Sequence, residues 1–546
     1  MGEIERNPES DAAALRAVYE AAQAGRFVQA ASLANAALAS GLEHPLLYNV
    51  SALEREQQGR VLEALGLLQR AVQIAPNDLG SRNALGLCLL RLERPADAVT
   101  HFQALLALDP TLPYAYVSYG NALWALGELS AAEANFKRAL ELDANQGIAL
   151  TRLAQIAANR GAYPEARAWA EKALALAPGF PDAVLALAAA ELGERQAAQA
   201  EERVRALLTD TRLVATDRAY TNGLLGDVLD AQNRPVEAFA AYTACNQELQ
   251  RLNAGRFGGA GSALEYARAM SRHFERARPD LWKHRPPART PRTGARGLVF
   301  VLGFPRSGTT LLEVILEGHP DVVSLEEKES FIDSVHEFMQ RPQDLDSLAA
   351  ASPQTLEVYR DAYWQRVAAQ GVDVAGKVFV DKYPLNSLKL PLIAKLFPDA
   401  KILLACRDPR DTVLSCVRHR FKMSAPIYEL LSVEGAARYY DAVMGLVVRL
   451  TSALPLDICL IRHEDLVTEF AREMKRICAF LNLEWAPAMG DFALRTQFRS
   501  VLTPSTAQLV KGLNTEGLGQ WHRYRQYLEP VLPVLEPWIK RFYYTV

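Results

Sequence analysis

At 546 residues, half of them hydrophobic and 23% charged, the chain is too long for one ordinary core and has the composition of a folded protein of roughly two to four domains rather than a disordered one. A net charge of −3 excludes general attraction to nucleic acid or an anionic membrane, so any anion site must be local. The six cysteines, Cys88, Cys245, Cys406, Cys416, Cys459 and Cys478, show neither a C-x-x-C pair nor metal-ligand spacing. They read as buried thiols in a reducing compartment, and no metal is implied. The segment Met1–Arg6 carries no basic and apolar leader pattern, and no run of about 18 apolar residues appears. A cytoplasmic location is therefore expected, with neither membrane nor nucleic acid as partner.

In chain order the first signal is an internal repeat. Pro76, Pro110 and Pro178 stand in register at multiples of 34 residues, with Ala144 in the remaining slot. The same period aligns Gly86, Gly120, Ala154 and Ala188, then Ala64, Ala98, Ala132 and Ala166, then Gly59, Gly127 and Gly161. Small residues where two helices touch, Phe102 and Phe136 in the next gap, glycine at the turn and proline past the second helix describe stacked helix pairs. This pattern resembles the tetratricopeptide repeat. It predicts an N-terminal all-α solenoid over residues 11–252, about seven units long, whose surface suits a protein partner or a polypeptide substrate. Residues 253–296 read as a linker with one helix around Ala263–Ala277, ending in a basic, proline-rich run.

The third segment, residues 297–546, opens with the apolar strand Leu298–Gly303, a turn, and a helix beginning at Thr310. Strand, glycine-containing turn and helix in that order aim helix N-terminal amides at the turn, a ready anion site. The frame Gly303-x-x-x-x-Gly308-Thr309-Thr310 matches the phosphate loop of nucleoside triphosphatases except that threonine replaces the lysine that reaches the β- and γ-phosphates. A second strand, Lys401–Cys406, leads into Arg407-Asp408-Pro409-Arg410-Asp411 and then Ser415. A cation at a strand end and a hydroxyl two helical turns later can converge on one dianion.

The loop Pro305-Arg306-Ser307-Gly308-Thr309-Thr310 resembles the 5′-phosphosulfate loop of the sulfotransferases, and the spacing of Arg407 and Ser415 is that family's 3′-phosphate pair. His319-Pro320-Asp321-Val322 followed by Glu326-Glu327 resembles the tyrosylprotein sulfotransferases. That resemblance implies an α/β domain with a mainly parallel sheet flanked by helices, and 3′-phosphoadenosine 5′-phosphosulfate as cosubstrate. It implies donor contacts from Arg306, Ser307, Gly308, Thr309, Thr310, Arg407, Ser415 and Arg523, with Glu327 as base and Lys382 and Ser505 at the transferred group. The acceptor would be a hydroxyl, with protein tyrosine among the choices. Relatives of that class carry a tyrosine where His463 stands and a basic residue where Gln520 stands. A phosphate-loop kinase and a repeat scaffold with a non-catalytic nucleotide-binding domain remain the alternatives.

Overall fold

In the computed structural model, which describes residues 8–259, 261–276, 279–283, 293–493, 509 and 512–545, the 34-residue period becomes a run of helices packed in consecutive pairs. Helices Leu79–Arg91 and Pro95–Leu108, then Pro113–Leu126 and Leu129–Leu142, are two such pairs. Their close approach depends on Gly86 and Gly120. A Cβ at these positions would lie 2.5 Å from the Phe102 ring and 2.6 Å from the Phe136 ring. The same pairing recurs further along at Gly226 and Tyr242.

The turn slot inside each pair also follows the period. Gly59, Gly127 and Gly161 adopt φ of +75°, +85° and +76°, the left-handed region that glycine enters without steric cost. Glu93 (φ +57°) and Arg195 (φ +65°) occupy the intervening and following slots in the same conformation. The geometry of the repeat is thus kept where its preferred residue is not. Helix starts are fixed locally, as where the Asp78 carboxylate accepts the Ser81 N–H at 2.7 Å.

The chain divides into two compact units, Met1–Ala190 and Glu191–Val546. The second unit therefore holds, besides the α/β fold, the helices Ala197–Leu208, Ala215–Ala231 and Pro235–Phe257. The last two pack on each other, and Ala219, Cys245 and Leu249 share a hydrophobic cluster with Leu431. Helix Ala263–Arg276 follows and buries Ala267, Met270 and Phe274 against the main core.

Five parallel strands form the sheet: β1 (Gly297–Gly303), β2 (Val322–Glu326), β3 (Val378–Lys382), β4 (Lys401–Cys406) and β5 (Asp457–Arg462), in the order β2-β3-β1-β4-β5. Alternation along β1 sends Val299 and Val301 into one core with Leu312, Ile315 and Leu403. Phe300 and Leu302 enter the other, with Phe379, Ile402 and Leu404. Both faces are covered, which is why the central strands read as unbroken apolar runs. Because every strand is parallel, all five carboxyl ends meet at one edge, and β1 lies where the chain turns from one side of the sheet to the other. That crevice is where open α/β sheets bind ligands.

Candidate active site

Each strand delivers a polar residue to this edge. After β1 comes the turn 304–308, in which the Ser307 N–H and hydroxyl both donate to the Phe304 carbonyl, at 3.1 and 2.6 Å. Ser307 therefore shapes the turn, and its side chain is not part of the cavity wall. Arg306 has φ +70° and Gly308 φ +95°. A Cβ on Gly308 would sit 2.5 Å from Nδ1 of His463, so glycine is required twice here, by φ and by the histidine ring. Thr309 and Thr310 open the helix Thr309–Leu316 and lie against the cavity.

The cavity measures about 520 Å³, within the usual range for small-molecule sites. Arg306, Gly308, Thr309, Thr310, Glu327, Arg407 and His463 line it together. Phe421, Met423, Pro426 and Ile427 supply an apolar part of the wall, with Lys422 among them.

Its electrostatics are dominated by two guanidinium groups. Arg306 Nε donates to Ser415 Oγ at 3.0 Å. Arg407 Nη1 donates to the Arg306 carbonyl at 3.4 Å, and its Nη2 to the Gly517 carbonyl. Burial and the neighbouring Arg407 pull the Arg306 pKa down to about 10, which still leaves it charged at neutral pH. Burial and the same two arginines hold His463 at about 3, so its ring is neutral. Arg407 Nε and His463 Nδ1 are enclosed and have no hydrogen-bond partner among the described residues. Two guanidinium groups beside one cavity suit an anion.

At the ends of β2 and β3 the opposite charge collects. Their register sets Glu326 beside Lys382. Lys382 Nζ contacts Glu327 Oε1 at 2.8 Å, Glu326 Oε1 at 3.2 Å and Glu313 Oε2 at 3.5 Å. Burial opposes the charge on Lys382, but the three carboxylates outweigh it and hold the ammonium pKa above its ordinary value. Glu327 is also held at its backbone, with φ +46° and its N–H on the Lys382 carbonyl at 2.8 Å. Its side chain is 43% exposed, whereas those of Lys382 and Glu313 are fully enclosed. Glu327 is thus the member of the cluster that reaches the cavity.

Glu313 was not foreseen in the sequence. The available signal was a carboxylate inside the apolar helix that follows the loop. Arg523 takes a different place from the donor contacts: its Nη1 meets Asp230 Oδ1 at 3.0 Å and its Nη2 the Asp230 carbonyl at 3.1 Å, and it is not part of the cavity wall. Gln520 donates to the Glu516 carbonyl. Ser505 lies outside the described residues.

Comparison with known proteins bears directly on this arrangement. Residues 299–487 match the model of the sulfotransferase family. The C-terminal unit carries a sulfotransferase-family domain. The tetratricopeptide repeat model matches residues 15–79, 52–113 and 120–181.

Over 246 residues the chain is 28% identical to protein-tyrosine sulfotransferase 1 of Danio rerio, a match covering 41% of this chain and 65% of that protein. It is 26% identical over 245 residues to protein-tyrosine sulfotransferase 2 of Gallus gallus, covering 41% and 62%. An uncharacterized protein of Aquifex aeolicus is 26% identical over 253 residues, covering 44% and 33%. The chain thus spans just under two thirds of the length of these two tyrosine sulfotransferases. Among solved structures, a tetratricopeptide repeat protein from Parabacteroides merdae is 19% identical, covering 44% of this chain and 93% of that one, with a TM-score of 0.36. The sulfotransferase domain accounts for the parallel sheet and the site edge, and the repeats for the helical unit.

Proposed function

We propose that the protein transfers a sulfuryl group from 3′-phosphoadenosine 5′-phosphosulfate to an acceptor hydroxyl, with a tyrosine side chain of a polypeptide as the acceptor class. The observation that carries this reading is the pair Arg306 and Arg407, at the ends of β1 and β4, lining one cavity with Glu327, behind which the enclosed Lys382 is ion-paired. Two cationic positions at two strand ends suit a nucleotide phosphorylated at both ends of its ribose. Arg407 Nε, which has no hydrogen-bond partner among the described residues, would supply a donor for such an anion. Thr309, in the slot where a triphosphate-binding loop carries lysine, argues against a kinase.

The donor supplies a sulfuryl group on a good leaving group. Arg306, Thr309, Thr310 and the loop amides would hold its 5′ end, and Arg407 with Ser415 its 3′-phosphate. Glu327 would take the proton of the acceptor hydroxyl as the new O–S bond forms, and the electron pair of the broken S–O bond leaves with the 5′-phosphate. Lys382, whose ammonium the three glutamates keep charged, would stabilise the negative charge that develops on the bridging oxygen. The repeats would recruit the polypeptide acceptor or a partner protein. The cytoplasmic expectation rests on six cysteines that are all buried free thiols; no described helix is long and apolar enough to cross a membrane.

Calorimetry with adenosine 3′,5′-bisphosphate and ATP tests the donor, and the bisphosphate should bind at least about a hundredfold more tightly. Equal affinities would refute it. Glu327→Gln should retain bisphosphate binding and lose about 10²- to 10⁴-fold in transfer of labelled sulfate to a tyrosine peptide. Turnover at the wild-type level would remove Glu327 from the base's role.

A further inference from the structure

The helix pair Ala215–Ala231 and Pro235–Phe257 continues the repeat pattern in sequence, yet it is built into the sulfotransferase unit by polar contacts that a recruiting surface has no need of. Asp230, near the end of the first helix, is the centre of these contacts. Its carboxylate receives Arg418 Nη2, Arg523 Nη1 at 3.0 Å and the Tyr524 hydroxyl at 2.5 Å. One turn earlier, Asp227 receives Arg420 Nη2 and the Tyr242 hydroxyl, the latter at 2.9 Å. From the second helix, Asn246 Nδ2 donates to the Val417 carbonyl at 2.8 Å. Phe239 stacks on Tyr527 with ring centroids 3.8 Å apart.

The partners of Asp230 belong to the two elements that frame the second cation. Arg418 ends the helix Pro409–Arg418, which carries Ser415 and, at its first turn, Asp411. Arg523 and Tyr524 end the turn Gln520–Tyr524. These two elements are also tied to each other beside Arg407. Asp411 accepts the N–H groups of Gly519 and Trp521, at 2.7 and 2.8 Å, and Arg407 donates to the Gly517 carbonyl. The path from Asp230 to the Arg407 guanidinium therefore runs by hydrogen bond to Tyr524, back along the chain from 524 to 517, and by hydrogen bonds from that segment to Asp411 and Arg407. A single carboxylate holds both sides of the frame.

We infer that Asp230 is a positioning residue for donor binding: the last helical pair of the repeat region acts as part of the sulfotransferase site by fixing the Arg407 and Ser415 frame through Arg418, Arg523 and Tyr524. This inference rests on the donor assignment above. It explains why Arg523, a donor contact by resemblance, points away from the cavity here: its charge is used to join the late segment to the helical pair. It also makes the helical pair inseparable in function from the unit that follows it.

The test uses the full-length protein and two nucleotides, adenosine 3′,5′-bisphosphate and adenosine 5′-monophosphate, titrated calorimetrically. A group that acts on the 3′-phosphate frame changes the ratio of the two affinities, whereas general loosening lowers both alike. Asp230→Asn should weaken the bisphosphate about three- to thirtyfold while the monophosphate stays within about twofold, the range expected for a packed residue that does not touch the ligand. Asp230→Glu, which keeps the charge, should restore part of the ratio. An unchanged ratio in Asp230→Asn overturns the inference. Should that variant fail to fold, Tyr524→Phe removes one hydrogen bond and leaves both ion pairs, and its ratio must fall as well; an unchanged ratio there is equally decisive against it. If the wild type binds neither nucleotide, the donor assignment has failed by itself. Amide exchange then decides the positioning role: faster exchange over 517–524 in Asp230→Asn sustains it, and unchanged exchange removes it.

Discussion

Asp381 and Lys382 are neighbours on β3 and illustrate how one strand can bury two charges with opposite outcomes. Lys382 is turned to the glutamate cluster, which keeps it charged. Asp381 is turned to the other face, 1% exposed, where its Oδ2 accepts the Tyr363 hydroxyl at 2.7 Å. Burial raises its pKa from 3.8 to about 7, and the Tyr363 hydrogen bond offsets only part of that. For an acid whose folded pKa lies above its unfolded value, the folded state holds the extra proton between the two values. The contribution of Asp381 to stability is therefore fully present below pH 3.8 and is lost as pH rises through about 7. Asp381→Asn retains an acceptor for Tyr363 and has no proton to lose. The melting midpoint of this variant, relative to wild type, should rise between about pH 4 and about pH 7 and level off above that. Parallel pH profiles for the two proteins would show that Asp381 ionises as an ordinary carboxyl.

At the scale of elements, the left-handed slot in each repeat turn carries a measurable strain. Glu93 holds φ +57° where Gly59 and Gly127, one period to either side, hold it freely. A side chain in this region costs about 1–2 kcal/mol, of which the added freedom of glycine in the unfolded chain cancels part. Glu93→Gly should therefore stabilise the repeat unit by about 0.5–1 kcal/mol, read from denaturant unfolding followed by helical circular dichroism. Gly120→Ala should do the reverse by about 1–3 kcal/mol, because its Cβ would press into the Phe136 ring. A neutral result for both would mean that the turns and contacts relax more easily than their geometry indicates.

These elements were legible in the sequence because their causes are local. The 34-residue period, the apolar run of β1 and the Gly303-to-Thr310 spacing each record a constraint within one turn or one strand. The parallel order β2-β3-β1-β4-β5 was not legible, since it pairs segments more than fifty residues apart; the Glu326–Lys382 contact spans 56 positions. The resemblance to a known family supplied Glu327 and Lys382, but Glu313 escaped because a lone carboxylate in an apolar helix has no spacing to mark it. Asp230 escaped for a stronger reason. Its partners Arg418 and Tyr524 lie 188 and 294 residues further on, and a repeat pattern gives no sign that its last pair faces inward to another fold.

For the whole molecule, the division at Ala190 and Glu191 makes a prediction that a boundary drawn at the end of the repeats does not. A ligand that binds the folded second unit and not its unfolded chain stabilises that unit by about 2.7 kcal/mol at a hundred times its Kd. The stabilisation extends to whatever unfolds cooperatively with the site and to nothing beyond it. With adenosine 3′,5′-bisphosphate added to the full-length protein, amide protection should therefore increase throughout the sulfotransferase domain and in the helices Ala215–Ala231 and Pro235–Phe257. It should stay unchanged in the helices from Pro8 to Leu176. Protection that rises only after residue 297 would make the last helical pair an ordinary repeat attached to the catalytic fold. Protection that rises along the entire chain would make the two units one cooperative body. The predicted break falls between these, because the polar contacts of Asp227, Asp230 and Asn246 tie the last pair to the elements that flank Arg407.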